Sequence, residues 1–323
     1  MADASLVVAG EALIDLMHSA DGSTSAEPGG SPFNLALALG RLGCNTIYRS
    51  PLSSDAYGRR LAEQLRASGV ALGGGEVEQP TSLAIVKVDA AGQARYEFRR
   101  EGVADRTLAP LHLLNDWPAD ARFFHVGSLA LMPPDGEPWR DLLQALRARF
   151  VTTSVDVNMR PMAAADRLDY ARTVKRVCQQ AHLLKVSEED LLALALPGDP
   201  LACARSLMGD ATRLVLLTLG AQGAWCLTRE HEIFQAAPTV QVLDTVGAGD
   251  CFYAGFLASL DEQQALHRRP SATELEQAMQ LGAQATAFNL QRKGCQPPWR
   301  KELAGVSAVL TCAKAAAQNG PRL

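Results

Sequence analysis

Short apolar runs alternate along the chain with amphipathic stretches of helical period, and glycines punctuate them. Leu6-Val-Val-Ala9, ending at Gly10, reads as a buried strand. Residues 33–42 are rich in alanine and leucine and close on Gly43, as a helix with a C-terminal glycine does. Residues 47–52 read as a strand, and 57–68 as a helix stopped by Gly69. The order then breaks. Residues 83–88 and 94–100 flank Asp89-Ala-Ala-Gly92, which predicts a hairpin with Tyr96 and Phe98 on one face and Glu97 and Arg99 on the other. Alternation resumes with strands at 122–126, 151–157, 182–186 and 214–219, and helices at 139–150 and 166–181. Ser187-Glu-Glu-Asp190 and Ser271-Ala-Thr-Glu274 have the form of capping boxes, the second opening a helix to about residue 289. A second hairpin is predicted from 224–228 and 232–236, and a last helix from 302–318.

Repeated strand–helix units imply an α/β fold whose mostly parallel sheet is covered on both faces. There is no repeat, low-complexity linker or charge block, so residues 1–323 are expected to form one principal domain. The first hairpin fits least and is expected outside the main sheet, as a lid. The chain is 47% hydrophobic and 20% charged, an ordinary composition for a soluble globular protein. A net charge of −4 argues against nucleic acid as a partner. No apolar run approaches the roughly 18 residues of a membrane span, and the first residues lack a basic region followed by an apolar stretch, so a cytoplasmic protein is expected. The seven cysteines are odd in number and contain no Cys-x-x-Cys, which predicts reduced thiols. Cys251 reads as a small buried filler.

Ligands of open α/β sheets gather outside the carboxyl ends of the strands. Five such ends carry polar groups: Asp15; Asn158 and Arg160; Lys185 and Glu188; Thr218 and Gly220; and Asp244-Thr-Val-Gly-Ala-Gly-Asp250. The last is a glycine-rich turn leading into an apolar helix, with a carboxylate at the junction. Free N–H groups at a helix start attract anions, and glycines let a phosphate approach the backbone. Asp250 is placed to take a proton from an attacking hydroxyl. Gly29-Gly30-Ser-Pro-Phe-Asn34 offers a second close approach, with Asn34 able to donate to and accept from sugar hydroxyls; an ordinary turn with Ser31 as N-cap is the alternative. Thr218-Leu-Gly220-Ala-Gln-Gly223 is either a ligand loop or a tight turn, and Glu188-Glu189-Asp190 either a metal-side cluster or a helix cap. No Gly-Lys-Ser/Thr occurs, and no glycine fingerprint follows the first strand, which disfavours a P-loop enzyme and a dinucleotide-binding dehydrogenase. The six histidines show no His-x-x-x-His spacing for a metal.

Together these residues resemble the ribokinase-like (PfkB) family of sugar kinases over essentially the whole chain. One motif is Gly29-Gly30…Asn34, running on to Gly40, Gly43 and Gly58; the other is Asp244-Thr-x-Gly247-Ala-Gly249-Asp250 with Ala254-Gly255. The resemblance implies a three-layer α/β/α fold with a small β-lid near 11–32 and 80–106. It implies ATP-dependent phosphorylation of a sugar hydroxyl, with Asp250 as base and Gly247, Ala248 and Gly249 as the anion hole. Asp15, Gly29, Gly30 and Asn34 would hold the sugar. Lys185, Thr218, Gly220, Gly223 and Gly249 would face the nucleotide. Glu188 would reach Mg2+ through water, although Lys185 stands where the family usually has asparagine. A K+ ion is implied beside Asp244, Val246 and the loop from Asn289 through Arg292 to Gly294, with Pro298 in place of a family serine. Arg100, Ala104-Asp105, His125-Val-Gly-Ser128 and Asp156-Val-Asn158-Met-Arg160 resemble fructokinases. The related 2-keto-3-deoxygluconate kinases carry similar arginines, so Arg100 and Arg160 would serve either sugar, and Ala104-Asp105 favours D-fructose, phosphorylated to fructose 6-phosphate. A sugar sensor on the same fold is the non-enzyme alternative, and the intact Asp250 and glycine turn argue against it. The family also implies a homodimer paired through its lids.

Overall fold

The structure is a computed structural model and describes residues 4–18, 23–88 and 94–303. The strands in chain order are β1 (Leu6–Val8), β2 (Leu13–His18), β3 (Thr24–Gly29), β4 (Thr46–Tyr48), β5 (Leu52–Ser53), β6 (Ala71–Leu72), β7 (Glu76–Val77), β8 (Ser82–Val88), β9 (Ala94–Arg99), β10 (Phe123–Gly127), β11 (Thr152–Asp156), β12 (Leu183–Ser187), β13 (Leu214–Thr218), β14 (Gly223–Leu227) and β15 (Glu232–Ala236). The helices are α1 (Ser31–Arg41), α2 (Ala56–Ala67), α3 (Gly136–Ala148), α4 (Arg167–Cys178), α5 (Glu188–Ala193), α6 (Pro200–Ser206), α7 (Ala248–Glu262), α8 (Ala272–Leu290) and α9 (Arg300–Leu303).

Nine strands form one sheet in the order β15-β14-β13-β12-β11-β10-β1-β4-β6. All neighbours from β6 to β13 pair in parallel, and β14 and β15 close one end as an antiparallel hairpin. The central strands are buried on both faces, which is why they read as unbroken apolar runs. Alternate residues feed opposite layers: Leu6 and Val8 pack with α1, α2, α7 and α8, while Val7 packs with α3, α4, α5 and α6. The chain leaves β1 in two directions across the sheet, toward β4 and toward β10, so a switch point opens at their carboxyl ends.

A separate four-stranded sheet, β3-β2-β8-β9, stands apart from the main one. The predicted hairpin is its β8–β9 pair, with Leu83 opposite Arg99; the expected turn at 89–92 lies outside the described residues. Its partners β2 and β3 leave little trace in the sequence because Thr24-Ser-Ala-Glu-Pro-Gly29 does not alternate, and Pro28 suits only an edge strand. The strand expected over 47–52 is split. It ends at Tyr48, the following turn contains Pro51, which has no N–H, and Leu52–Ser53 pairs with β7 instead. Both predicted capping boxes form, on Ser187 with Asp190 and on Ser271 with Glu274. The last helix expected at 302–318 lies almost wholly outside the described residues.

Candidate active site at the strand ends

Helix α7 begins at the glycine turn. Its N-cap Gly247 has φ +70°, a left-handed conformation that favours glycine, and a Cβ there would meet Cys295 Sγ at 2.4 Å. The Ala248 N–H closes a local turn, donating to the Thr245 carbonyl at 3.1 Å. The amides around Gly249 and Asp250 remain as the first-turn donors that a helix leaves without intrahelical partners. Further along, Gly255 lets α7 approach α8 closely, since a Cβ there would lie 2.8 Å from the Gly282 Cα. Cys251 is fully buried, as a filler should be.

Asp250 is buried in the first turn of α7 and meets the first turn of α1. Ser31 Oγ donates to one carboxylate oxygen at 2.7 Å, and Asn34 Nδ2 to the other at 2.9 Å. Ser31 is thus not the N-cap; Gly30 is, with φ +105°. Asn34 Oδ1 is buried without a partner. Gly29 is glycine for a local reason: the Asp15 carboxylate lies over it, and a Cβ would stand 2.3 Å from Oδ2.

Behind the glycine turn sits a buried ion pair. Lys185 Nζ, at the end of β12, contacts both oxygens of Asp156 on β11, at 2.9 and 2.8 Å. A Cβ on Gly249 would lie only 3.4 Å from that nitrogen. Burial by itself would lower the Lys185 ammonium, but Asp156, Asp250 and Asp190 around it raise it above the usual lysine range. Asp190 caps its own helix through Ser187 and also accepts the Met159 N–H at 2.7 Å, tying the β11 and β12 ends together. Glu188 is exposed at the first position of α5.

The two arginines singled out in the sequence are both near carboxylates. Arg100 is buried, donates to the Leu129 carbonyl at 3.2 Å, and lies 3.9 Å from Asp105 and 3.9 Å from Asp135. Glu11 is a third acidic neighbour. Its carboxyl is pushed up to about 7 by burial, against the pull of Arg100. Arg160 bonds to Asn158 Oδ1 at 2.6 Å. Its charge acts on Asp15, whose carboxyl is raised to about 6 by burial although Arg160 draws it down.

On the other side, Thr218 ends β13 and Gly220 is exposed with open space where a Cβ would point. Gly223 is held by packing, since a Cβ would meet the Gln235 carbonyl of β15 at 2.2 Å. Asp244 links two loops, accepting from the Val246 N–H at 3.0 Å and the Gly294 N–H at 2.8 Å. Asn289 donates to the Val246 carbonyl at 2.7 Å and accepts from the Gln296 N–H at 2.7 Å. The Arg292 side chain turns away to Glu302 and the Phe288 ring. Among the described residues no cluster of three or more His, Cys, Asp or Glu forms a metal site.

Residues 3–302 match the family described as pfkB family carbohydrate kinase. The chain belongs to this family. It is 38% identical over 285 residues to a fructokinase of Rhizobium leguminosarum bv. trifolii, covering 86% of each chain. Its fold is similar to that of the ATP-bound fructokinase of Xylella fastidiosa, with a TM-score of 0.83 at 26% identity over 97% of this chain and 99% of that one. It is also similar to a double mutant of Vibrio cholerae O395 fructokinase in a fructose-, ADP- and potassium-bound form, with a TM-score of 0.80 at 25% identity over 94% and 99% of the two chains.

In this carbohydrate kinase local contacts join Asp15 to Gly29, Asn34 to Asp250, and Lys185 to Gly249. Glu11 escaped the sequence reading, and Asp156 entered it only as part of a fructokinase-like segment. Glu11 follows the first strand directly, so the strand-end rule that found Asp15 applies to it equally. Asp156 stands at the end of β11, and only the pairing of β11 with β12, Asp156 opposite Lys185, reveals its partner.

Proposed function

We propose that the protein transfers the γ-phosphoryl group of ATP to a hydroxyl of D-fructose, giving fructose 6-phosphate. The observation that carries this reading is the setting of Asp250: a buried carboxylate in the first turn of α7, steadied by Ser31 and Asn34 from α1. Asp250 accepts the proton of the sugar hydroxyl. The hydroxyl oxygen bonds to the γ-phosphorus, the bond to the β–γ bridging oxygen breaks, and ADP leaves. Such a transfer needs positioning and charge stabilisation more than covalent chemistry. The start of α7 supplies N–H donors for the charge, and Lys185 supplies a fixed ammonium behind them. The unpartnered Asn34 Oδ1 is a ready acceptor for a second sugar hydroxyl. Asp15, Gly29 and Gly30 complete the sugar side, Thr218, Gly220 and Gly223 the nucleotide side, and the four-stranded sheet serves as the lid.

Charge favours a neutral sugar over an acid one. A carboxylate substrate needs an arginine whose charge is not already matched. Arg100 has Glu11, Asp105 and Asp135 around it, and the charge of Arg160 acts on Asp15. The fructokinase relatives, one of them with fructose and ADP bound, support the same acceptor. The exposed carboxylate of Glu188 suits Mg2+, a hard cation that would neutralise phosphate charge when bound. Asp244, the second lone pair of the Val246 carbonyl, and the backbone of Asn289, Arg292 and Gly294 suit K+. The reading includes one domain over 1–323, a homodimer paired through the lid strand carrying exposed Met17, and a cytoplasmic setting; among the described residues no helix is long and apolar enough to cross a membrane. The test is ADP release with fructose, other ketoses and aldoses, and 2-keto-3-deoxygluconate. Fructose is expected to have the highest kcat/KM. Preference for the acid sugar would overturn the substrate, and sugar binding without turnover would favour a sensor.

A further inference from the structure

Helix α1 starts without a cap of its own. Its N-cap is Gly30, which has no side chain, and its first turn carries no acidic residue. The Ser31 N–H, one of the donors a helix start leaves without partners, is met instead by Glu11 Oε1 at 3.3 Å, twenty residues earlier in the chain. An anion is favoured at that end of a helix. Glu11 is only 1% exposed. Its backbone carbonyl also supports the turn, since a Cβ on Gly30 would stand 2.6 Å from it. Its Oε2 makes no hydrogen bond of ordinary geometry, the Ser128 side chain lies beside the carboxyl, and Glu11 lines a cavity of about 220 Å3 together with Arg100, Asp105 and Asp135.

The residue that Glu11 holds is the one that touches Asp250. Ser31 bonds Glu11 through its N–H and Asp250 through its hydroxyl, at 2.7 Å. The second donor on Asp250, Asn34, is also a proposed sugar contact, so its hydrogen bonds are shared with substrate. Ser31 is the donor free to stay on the carboxylate throughout turnover. We infer that Glu11 is a positioning residue for the reaction: it fixes Ser31 at the start of α1 and, through the Ser31 hydroxyl, sets the orientation of Asp250 toward the acceptor hydroxyl. This rests on Asp250 acting as the base.

The test is a double-mutant cycle of Glu11→Ala and Ser31→Ala, read as kcat and sugar KM with Glu11→Gln alongside. Loss of a hydrogen bond to a charged group predicts kcat lower by on the order of tenfold in each single variant, with KM changed less than about twofold. If Glu11 acts through Ser31, the double variant falls within about threefold of the worse single one. Glu11→Gln keeps an oxygen for the Ser31 N–H and should recover most of the loss. Losses that multiply to about a hundredfold, a rise in KM in place of the fall in kcat, or a Gln variant as impaired as the Ala variant would each overturn the inference. Should Glu11→Ala yield little folded protein, Glu11→Met, similar in length but without an acceptor, replaces it in the cycle. The cycle uses whichever sugar the wild-type protein turns over best. A wrong sugar therefore appears as poor wild-type turnover of fructose, and a wrong base as near-normal turnover in Asp250→Asn, whereas a wrong coupling appears only in the ratio.

Discussion

Arg160→Met should move the acid limit of sugar use upward in pH. Asp15 lies on β2, with burial raising its carboxyl to about 6 and the charge of the Arg160 guanidinium opposing that rise. Removing a nearby opposite charge typically moves a carboxyl by about one unit or more, so the variant's Asp15 should titrate near 7. With Asp15 accepting from sugar hydroxyls as a carboxylate, kcat/KM for fructose should fall below about pH 6 in the wild type and below about pH 7 in the variant. One unit corresponds to about 1.4 kcal/mol. The extra loss in the variant would be negligible near pH 8 and about fivefold near pH 6. The assay is kcat/KM for fructose by ADP release from pH 5.5 to 8.5. The inflection carries the test, because losing Arg160 also lowers activity uniformly if it touches the sugar. An inflection that stays near 6 in Arg160→Met refutes the pairing of Asp15 with Arg160. The same burial has a consequence for stability, and its sign is fixed. An acid raised above its unfolded value binds more protons in the folded state, so Asp15 destabilises the fold at pH 7 and that cost disappears as pH falls from about 6 toward 4. Asp15→Asn should therefore stabilise the protein at pH 7.5 by at most about 3 kcal/mol, with no gain at pH 4, while weakening fructose binding.

Lys185→Met should be costly twice over. It strands Asp156 in the interior, for a loss of about 3–5 kcal/mol in denaturant unfolding, and it removes the ammonium behind Gly249, which lowers kcat. Adding Asp156→Leu should restore much of the stability but none of the rate; equal recovery of both would mean that Lys185 serves the fold alone. Turnover should be higher in potassium than in sodium buffer of equal ionic strength, and Asp244→Ala should abolish the difference; equal rates in the two salts would remove K+ from the loop at 289–294.

The fold was legible where single elements carry their own signal. The apolar runs of β1, β10 and β13 announce strands buried on both faces, and Ser187 and Ser271 announce helix starts by their capping boxes. Gly247-Ala-Gly249-Asp250 stands out in the chain because the turn, the helix start and the carboxylate are contiguous. What the chain hid are relations between distant segments. β3 has no alternation because it is an edge strand with Pro28, and only its pairing with β2 makes it a strand. Ser31 read as an N-cap from local chemistry, yet its hydroxyl serves Asp250, more than two hundred residues away. The family resemblance set Lys185 at the nucleotide, and its hold on both oxygens of Asp156 depends on two strands lying side by side.

The most direct test of the account is the turnover of Asp250→Asn. Asparagine keeps the shape and can still accept from Asn34 through its Oδ1, while its Nδ2 must donate to the Ser31 hydroxyl, and it cannot take the hydroxyl's proton. Fructose-dependent ADP release at saturating ATP should fall by about two to four powers of ten, while far-UV circular dichroism, melting temperature and ATP binding stay close to wild type. A folded Asp250→Asn protein that turns over fructose at a near-normal rate would contradict the account.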